Sequence, residues 1–215
     1  MICATVLGTS MANASGNWAI QPTANPSGVR DVSLGGISCP STTVCFAVGS
    51  AGALPLVERW NGSGWVIQTP PGPIGAESSE LKGVSCFATN ACTAVGDYVN
   101  NLGVQVTLAE RWDGSSWTIQ PTPNKKGAYG NVLAGVSCPS ISVCIAVGDS
   151  PGVVGALAER WDGSSWTIQP TPNKKGAYGN VLAGVSCPSI SVCIAVGDSP
   201  GVVGALAERW DGSSW

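Results

Sequence analysis

The octapeptide Asn-Lys-Lys-Gly-Ala-Tyr-Gly-Asn occurs twice, at 124–131 and again at 173–180. Lys125, Lys126, Lys174 and Lys175 supply cationic donors. Tyr129 and Tyr178 supply a flat apolar ring with a hydroxyl, and Asn131 and Asn180 supply amides. Asp149 and Asp198, at the ends of two identical apolar runs, add hydrogen-bond acceptors. Residues of these types in one Gly-rich loop suit recognition of a sugar or a peptide, a ligand with both polar groups and flat apolar surface. The plain alternative is an ordinary solvated loop.

Bond-breaking chemistry is poorly provided for. The chain has no histidine, so the commonest general base and the commonest transition-metal ligand are both missing. Ser-His-Asp and Cys-His catalysis are excluded, and no catalytic residue, metal site or cofactor is assigned. The carboxylates that recur are those of Glu58, Glu110, Glu159 and Glu208, each followed by an arginine. Side chains alternate along a strand, so each Glu and its Arg point to opposite faces. If such strands stack, the Glu face of one meets the Arg face of the next, and an ion pair of Glu110 with Arg160, or of Glu159 with Arg111, is expected. Glycoside hydrolysis needs two acids converging in one cleft. These glutamates fall on third strands, away from a central channel, and the first strands read as free of acids.

Eight of the nine cysteines form four Cys-x5-Cys pairs: Cys39/Cys45, Cys86/Cys92, Cys138/Cys144 and Cys187/Cys193. Each brackets a short connection between two apolar runs. Hairpin ends bring Cα atoms to about 5–6 Å, within disulfide reach. Zinc is disfavoured, because there is no Cys-x2-Cys and no histidine, and the pairs sit on separate units. Disulfides imply an oxidising compartment. Cys3 reads as the second cysteine of a truncated earlier unit.

These residues are carried by a repeat. Residues 108–166 and 157–215 are identical over 59 positions at a period of 49, and two diverged copies precede them. Trp18, Trp65, Trp117, Trp166 and Trp215 open equivalent segments at spacings of 47, 52, 49 and 49. One unit reads as four short strands, Leu133–Cys138, Cys144–Asp149, Ala156–Trp161 and Trp166–Pro170, with linkers rich in Gly, Pro, Ser and Asn. Four antiparallel strands in every 40–50 residues is the rhythm of a β-propeller blade. The sequence therefore predicts an all-β propeller of about four blades. The whole of 1–215 reads as one domain, with units at approximately 18–64, 65–116, 117–165 and 166–215 and a truncated unit at 1–17. Asp113-Gly114 reads as a favoured two-residue hairpin turn with positive φ at both positions; whether the loop is Asp-Gly or Asp-Gly-Ser-Ser, Trp112 and Trp117 fall on one face. The rings are expected to fill the space between blades. The fourth-strand copy at Trp18–Pro22 is expected to complete the last blade and so close the ring.

The unit resembles a kelch repeat. "CIAVGD" lies where the second kelch strand would be, and "ERWDGSSWTIQPTP" is similar to the third and fourth. Trp stands in place of the usual Tyr, and Gly-Asp or Gly-Ser in place of the double glycine. The hairpin also resembles the Asp-box of sialidase-type propellers, with Asp and Gly adjacent here. The resemblance covers most of the chain from Gly16 and implies a secreted, bacterial-type propeller. Kelch propellers mostly have more blades, which leaves open that this chain is a fragment of a larger one.

Of the 215 residues 11% are charged, for a net charge of −3, which argues against a nucleic-acid partner. With 44% apolar residues, Gly 29 and Pro 15, the chain can bury a core and turn often. No apolar run reaches the roughly 20 residues that span a membrane, and the first 16 residues make a poor signal peptide. The reading favoured on these grounds is a non-enzymatic module, extracellular or at the cell surface, that binds glycans or proteins through its rim loops. Two others stay open: a fragment of an extracellular glycan-active enzyme, and a recently amplified or engineered repeat with no evolved ligand.

Overall fold

The computed structural model describes residues 19–215 except Val154, Asn173, Lys175, Gly176, Tyr178, Val202 and Val203. Trp18 and Cys3 lie outside the described residues. The described chain has no helix and folds into four antiparallel sheets, one per repeat. Blade 1 holds β1 (Val32–Ser41), β2 (Val44–Ala51), β3 (Leu54–Trp60) and β4 (Trp65–Gln68). Blade 2 holds β5 (Ser78–Ala88), β6 (Ala91–Val99), β7 (Gln105–Trp112) and β8 (Trp117–Gln120). Blade 3 holds β9 (Val132–Ser140), β10 (Val143–Asp149), β11 (Leu157–Trp161) and β12 (Trp166–Ile168). Blade 4 has three strands, β13 (Val181–Ser189), β14 (Val192–Asp198) and β15 (Ala205–Trp210). Within each sheet the strands lie in chain order. This is the repeated-blade architecture of a β-propeller-like fold.

The second strands are largely apolar on both faces, and in blades 2 and 3 both faces are covered, one by the preceding blade and the other by the next. Phe46, Val48 and Val57 of blade 1 share a core with Leu81, Ala94, Leu108, Trp112 and Trp117 of blade 2. Val95 and Ala109 of blade 2 meet the equivalent residues of blade 3, and Ile145, Val147 and Ala158 of blade 3 meet those of blade 4. Serines stitch the first strands together: Cys86 N donates to Ser38 Oγ (3.0 Å), Cys138 N to Ser85 Oγ (2.9 Å) and Cys187 N to Ser137 Oγ (3.0 Å). Glycine ends each apolar run (Gly49, Gly96, Gly148, Gly197) because a Cβ there would sit 1.9 Å from a carbonyl oxygen of the neighbouring first strand.

The tryptophan hairpin follows the expected face and a different turn. Trp112 is directly opposite Trp117, with ring centroids 5.7 Å apart, and Phe46 of blade 1 packs on both at 5.7 and 5.8 Å. The loop is the four residues 113–116. Gly114 has φ 103°, and among the described residues none other than glycine has positive φ, so the favoured two-residue Asp-Gly turn gives way to the four-residue loop. Asp113 Oδ1 instead accepts from the N–H and hydroxyl of Ser115 and from the N–H of Ser116, all at 2.8 Å. Asn61, Asp162 and Asp211 do the same in the other blades. The side chain closes the turn, which relieves Asp of the strained backbone.

All four cysteine pairs are disulfides, Cys39–Cys45, Cys86–Cys92, Cys138–Cys144 and Cys187–Cys193. Their Cα atoms lie 3.9–4.1 Å apart, closer than expected, because the two cysteines face each other directly at the end of a tight hairpin. Each closes a short loop, so replacing Cys138 and Cys144 together by Ser should lower unfolding free energy by only about 2 kcal/mol. Urea titration of the double variant checks this, and a loss as large as that of a core deletion would contradict it.

The expected exchange of Trp18–Pro22 into the last blade is not seen. Ala19–Pro22 carry no strand. Gln21 and Thr23 lie beside Leu34, Ile37, Ala47 and Trp65 of blade 1, and Ala24 N donates to Glu58 Oε2 (3.1 Å). The segment is held by the blade that follows it in the chain.

Candidate ligand-binding rim

Linkers between blades and the loops joining second to third strands emerge at the same end of the sheets. Between blades 3 and 4 they enclose a depression of about 310 Å³, walled by Asp149, Ser150, Pro151, Gly152, Gly179 and Asn180 among others. Asp149 and Asn180, singled out in the sequence, thus share one site. Tyr129 stands at its edge. Its N–H donates to Pro151 O (2.7 Å), and its side chain is 85% exposed. The ring lies against Gly152, where a Cβ would come within 2.7 Å of it, so only glycine, here with φ 90°, leaves the ring room.

The neighbouring residues build this edge from within. Asn131 is buried, and its Oδ1 accepts from Lys125 N (3.0 Å) and Ser150 Oγ (2.8 Å), tying the linker to the 150–156 loop. Lys125 turns inward, its Nζ donating to Gly155 O (3.2 Å) and Ala156 O (2.7 Å); burial lowers its pKa. Lys126 is exposed. Lys174 Nζ lies by Gly204, the counterpart of Gly155, and Asn180 is buried like Asn131. Lys175 and Tyr178 lie outside the described residues.

Asp149 is half-buried, and its pKa is raised by burial and by Asp97, against the pull of Lys82. Asp198 is exposed beyond it. Asp97 had no counterpart in the sequence reading. It sits one blade back, accepting from Gln105 Nε2 (2.6 Å), with Lys82 Nζ at 3.5 Å from Asp97 and 2.7 Å from Glu80. Glu80 lies within β5, so one first strand does carry an acid, contrary to expectation. The signal for this side of the rim is the Asp-Ser-Pro-Gly run at 149–152, a turn sequence placed directly after an apolar strand.

Glu110, Glu159 and Glu208 are buried between blades, and Glu58 is buried under the N-terminal segment, accepting from Ala24 N. Glu159 and Arg111 do face the same gap, yet no ion pair forms. Arg111 donates to Ile141 O and lies over the Trp161 ring at 5.4 Å, while both Glu159 oxygens lack a hydrogen-bond partner. Burial pushes Glu110 and Glu159 up to about 8, so the carboxyls are neutral at pH 7 and offer no charge to pair. Glu110, Glu159 and Glu208 each occupy a separate gap, and the four glutamates do not converge.

These features define a protein of repeated, disulfide-closed β-blades with a loop-built rim. No family model matches the sequence, and no curated protein matches it. Among solved structures it is similar to a fucose lectin from Kordia zhangzhouensis in complex with methyl-fucoside, at TM-score 0.43 and 13% identity, over 65% of this chain and 99% of the lectin.

Proposed function

We propose that the protein is a non-enzymatic, extracellular binding module with kelch-like repeats, a single domain that recognises glycans or proteins through its rim loops. The observation that carries this reading is the 85% exposed ring of Tyr129 beside a depression walled by Asp149 and Asn180. An exposed aromatic ring stacks on the apolar face of a sugar or on a peptide side chain. A neighbouring carboxylate accepts hydroxyl or amide donors. Lys126 adds an exposed cation. The loop sequence recurs 49 positions on, so a repeating partner would gain from a second, intramolecular contact. Lys125 and Asn131 hold the loop in shape. Four disulfides favour export, since reducing compartments do not keep them.

The 59-residue exact duplication favours a second reading, a recently amplified repeat without an evolved ligand. Screening on glycan and protein arrays separates the two. The wild type should bind a restricted set of spots, and Tyr129→Ala with Asp149→Asn should reduce that signal by tenfold or more with the melting temperature unchanged. No binding by the wild type, or equal binding by the variant, contradicts the proposal.

A further inference from the structure

The far face of blade 4 repeats a face that blade 3 buries. Ile194, Val196, Ala207 and Arg209 are the same residues, 49 positions on, as Ile145, Val147, Ala158 and Arg160. In blade 3, Ile145 and Val147 are 1% and 0% exposed, packed against Leu182, Ala195 and Trp210 of blade 4. In blade 4, Ile194 and Val196 are 42% and 50% exposed. The first strand shows the same difference. A Cβ on Gly36, Gly83 or Gly135 would touch the next blade within about 3 Å, whereas Gly184 has nothing within 4 Å. Ser38, Ser85 and Ser137 each accept a cysteine N–H from the next blade, and Ser186 is the fourth residue of that row.

The complementary face is that of blade 1. Leu34 is 39% exposed where Leu81, Leu133 and Leu182 are 0%, and Ile37 is 62% exposed where Val84 and Val136 are 8% and 9%. Trp60 and Trp65 are half-buried, whereas their counterparts in blades 2 and 3 are buried. Three times within the chain, a face of the blade 4 type is covered by a face of the blade 1 type.

We infer that blade 4 of one chain docks on blade 1 of a second copy, head to tail, by the contact that joins the blades within the chain, displacing residues 21–24 from the edge of that face. Ile194 then lies on Trp60 and Trp65, as Phe46 lies on Trp112 and Trp117. Gly184 approaches the first strand of the second copy, and Ser186 Oγ accepts the Cys39 N–H. The interface is heterologous: each chain keeps one face of each type, so association extends beyond a pair unless a ring closes.

Sedimentation of the wild type from micromolar to millimolar concentration should show a mass that rises with concentration. Ile194→Glu blocks one face and Ile37→Glu the other. Both positions are exposed within the single chain, so each variant should keep the wild-type circular dichroism and sediment as one chain. Mixed together, the two variants should form a species of two chains and stop there, because only one open face of each type remains. A wild type that stays a single chain throughout overturns the inference. So does association that survives either substitution, or failure of the mixed variants to pair.

Discussion

Stability should fall as pH rises from about 4.5 to about 8, and Glu→Gln substitution at the interblade positions should abolish most of that fall. Glu110 and Glu159 have pKa values pushed up to about 8 from an ordinary 4.5, because burial penalises the charged form. Glu208 is raised to about 7 for the same reason, against the opposing pull of Lys125. The folded pKa lies above the unfolded one, so between the two values unfolding releases a proton. The stability is complete below pH 4.5 and lost as pH climbs to 8, at about 1.4 kcal/mol per pH unit for each fully buried glutamate. Glu159→Gln keeps the shape and cannot ionise, and at pH 7 it should stabilise the protein by on the order of 3 kcal/mol. The turn aspartates act in the opposite sense. Asp113, Asp162 and Asp211 are held down to about 2, first by backbone N–H groups of the serines that follow and then by their hydroxyls. Their contribution is present above pH 3.8 and lost as pH falls to 2. Urea midpoints across the pH range should therefore peak near pH 4. A flat profile that Glu159→Gln does not alter would contradict the assignment of neutral buried carboxyls.

Phe46→Ala should cost about 3–5 kcal/mol, although the residue sits in a sheet of its own blade and touches no ligand-bearing loop. Phe46 is fully buried, and its ring meets Trp112 and Trp117 of the next blade and lies under the Arg59 guanidinium at 5.8 Å. Removing it leaves a cavity between two sheets that are joined by one linker and cannot easily collapse onto each other. Ile141→Ala is the control. Its side chain is 57% exposed on a hairpin end, and the same deletion there should cost less than about 1 kcal/mol. Equal losses at the two positions in chemical denaturation would show that the gap between blades is not packed as described.

The blades were legible because a repeated hairpin of Trp-Asp-Gly-Ser-Ser-Trp, placed after an apolar run that ends in Gly-Asp, has few other ways to bury its rings. Strand alternation also placed Glu159 and Arg111 on facing surfaces. It could not say whether a charge survives there, since that depends on how dry the gap is. Of the two loops open to the sequence, the longer one forms: Asp-Gly by itself suggests positive φ at both residues, whereas the serines that follow let the Asp side chain close the loop. In the rim, residue types marked the loop as functional. They could not separate Lys125 and Asn131, which turn inward onto the 150–156 loop, from Tyr129, which turns outward. That division is decided by contacts with a segment some 20–30 residues further along the chain. The N-terminal segment matched the fourth-strand pattern, but the structure holds it on blade 1 through the Ala24 N–H to Glu58, a contact the strand pattern does not encode.

The central claim is that the tryptophan hairpin recurs because each blade packs on its neighbour through it. A double-mutant cycle between Phe46→Leu and Trp112→Leu tests this most directly, since the two residues belong to different blades and meet only across the gap. A coupling free energy of about 0.5–1.5 kcal/mol is predicted, as for aromatic pairs in contact. Strictly additive losses would mean that the rings do not touch, and the hairpin would need another reason to recur.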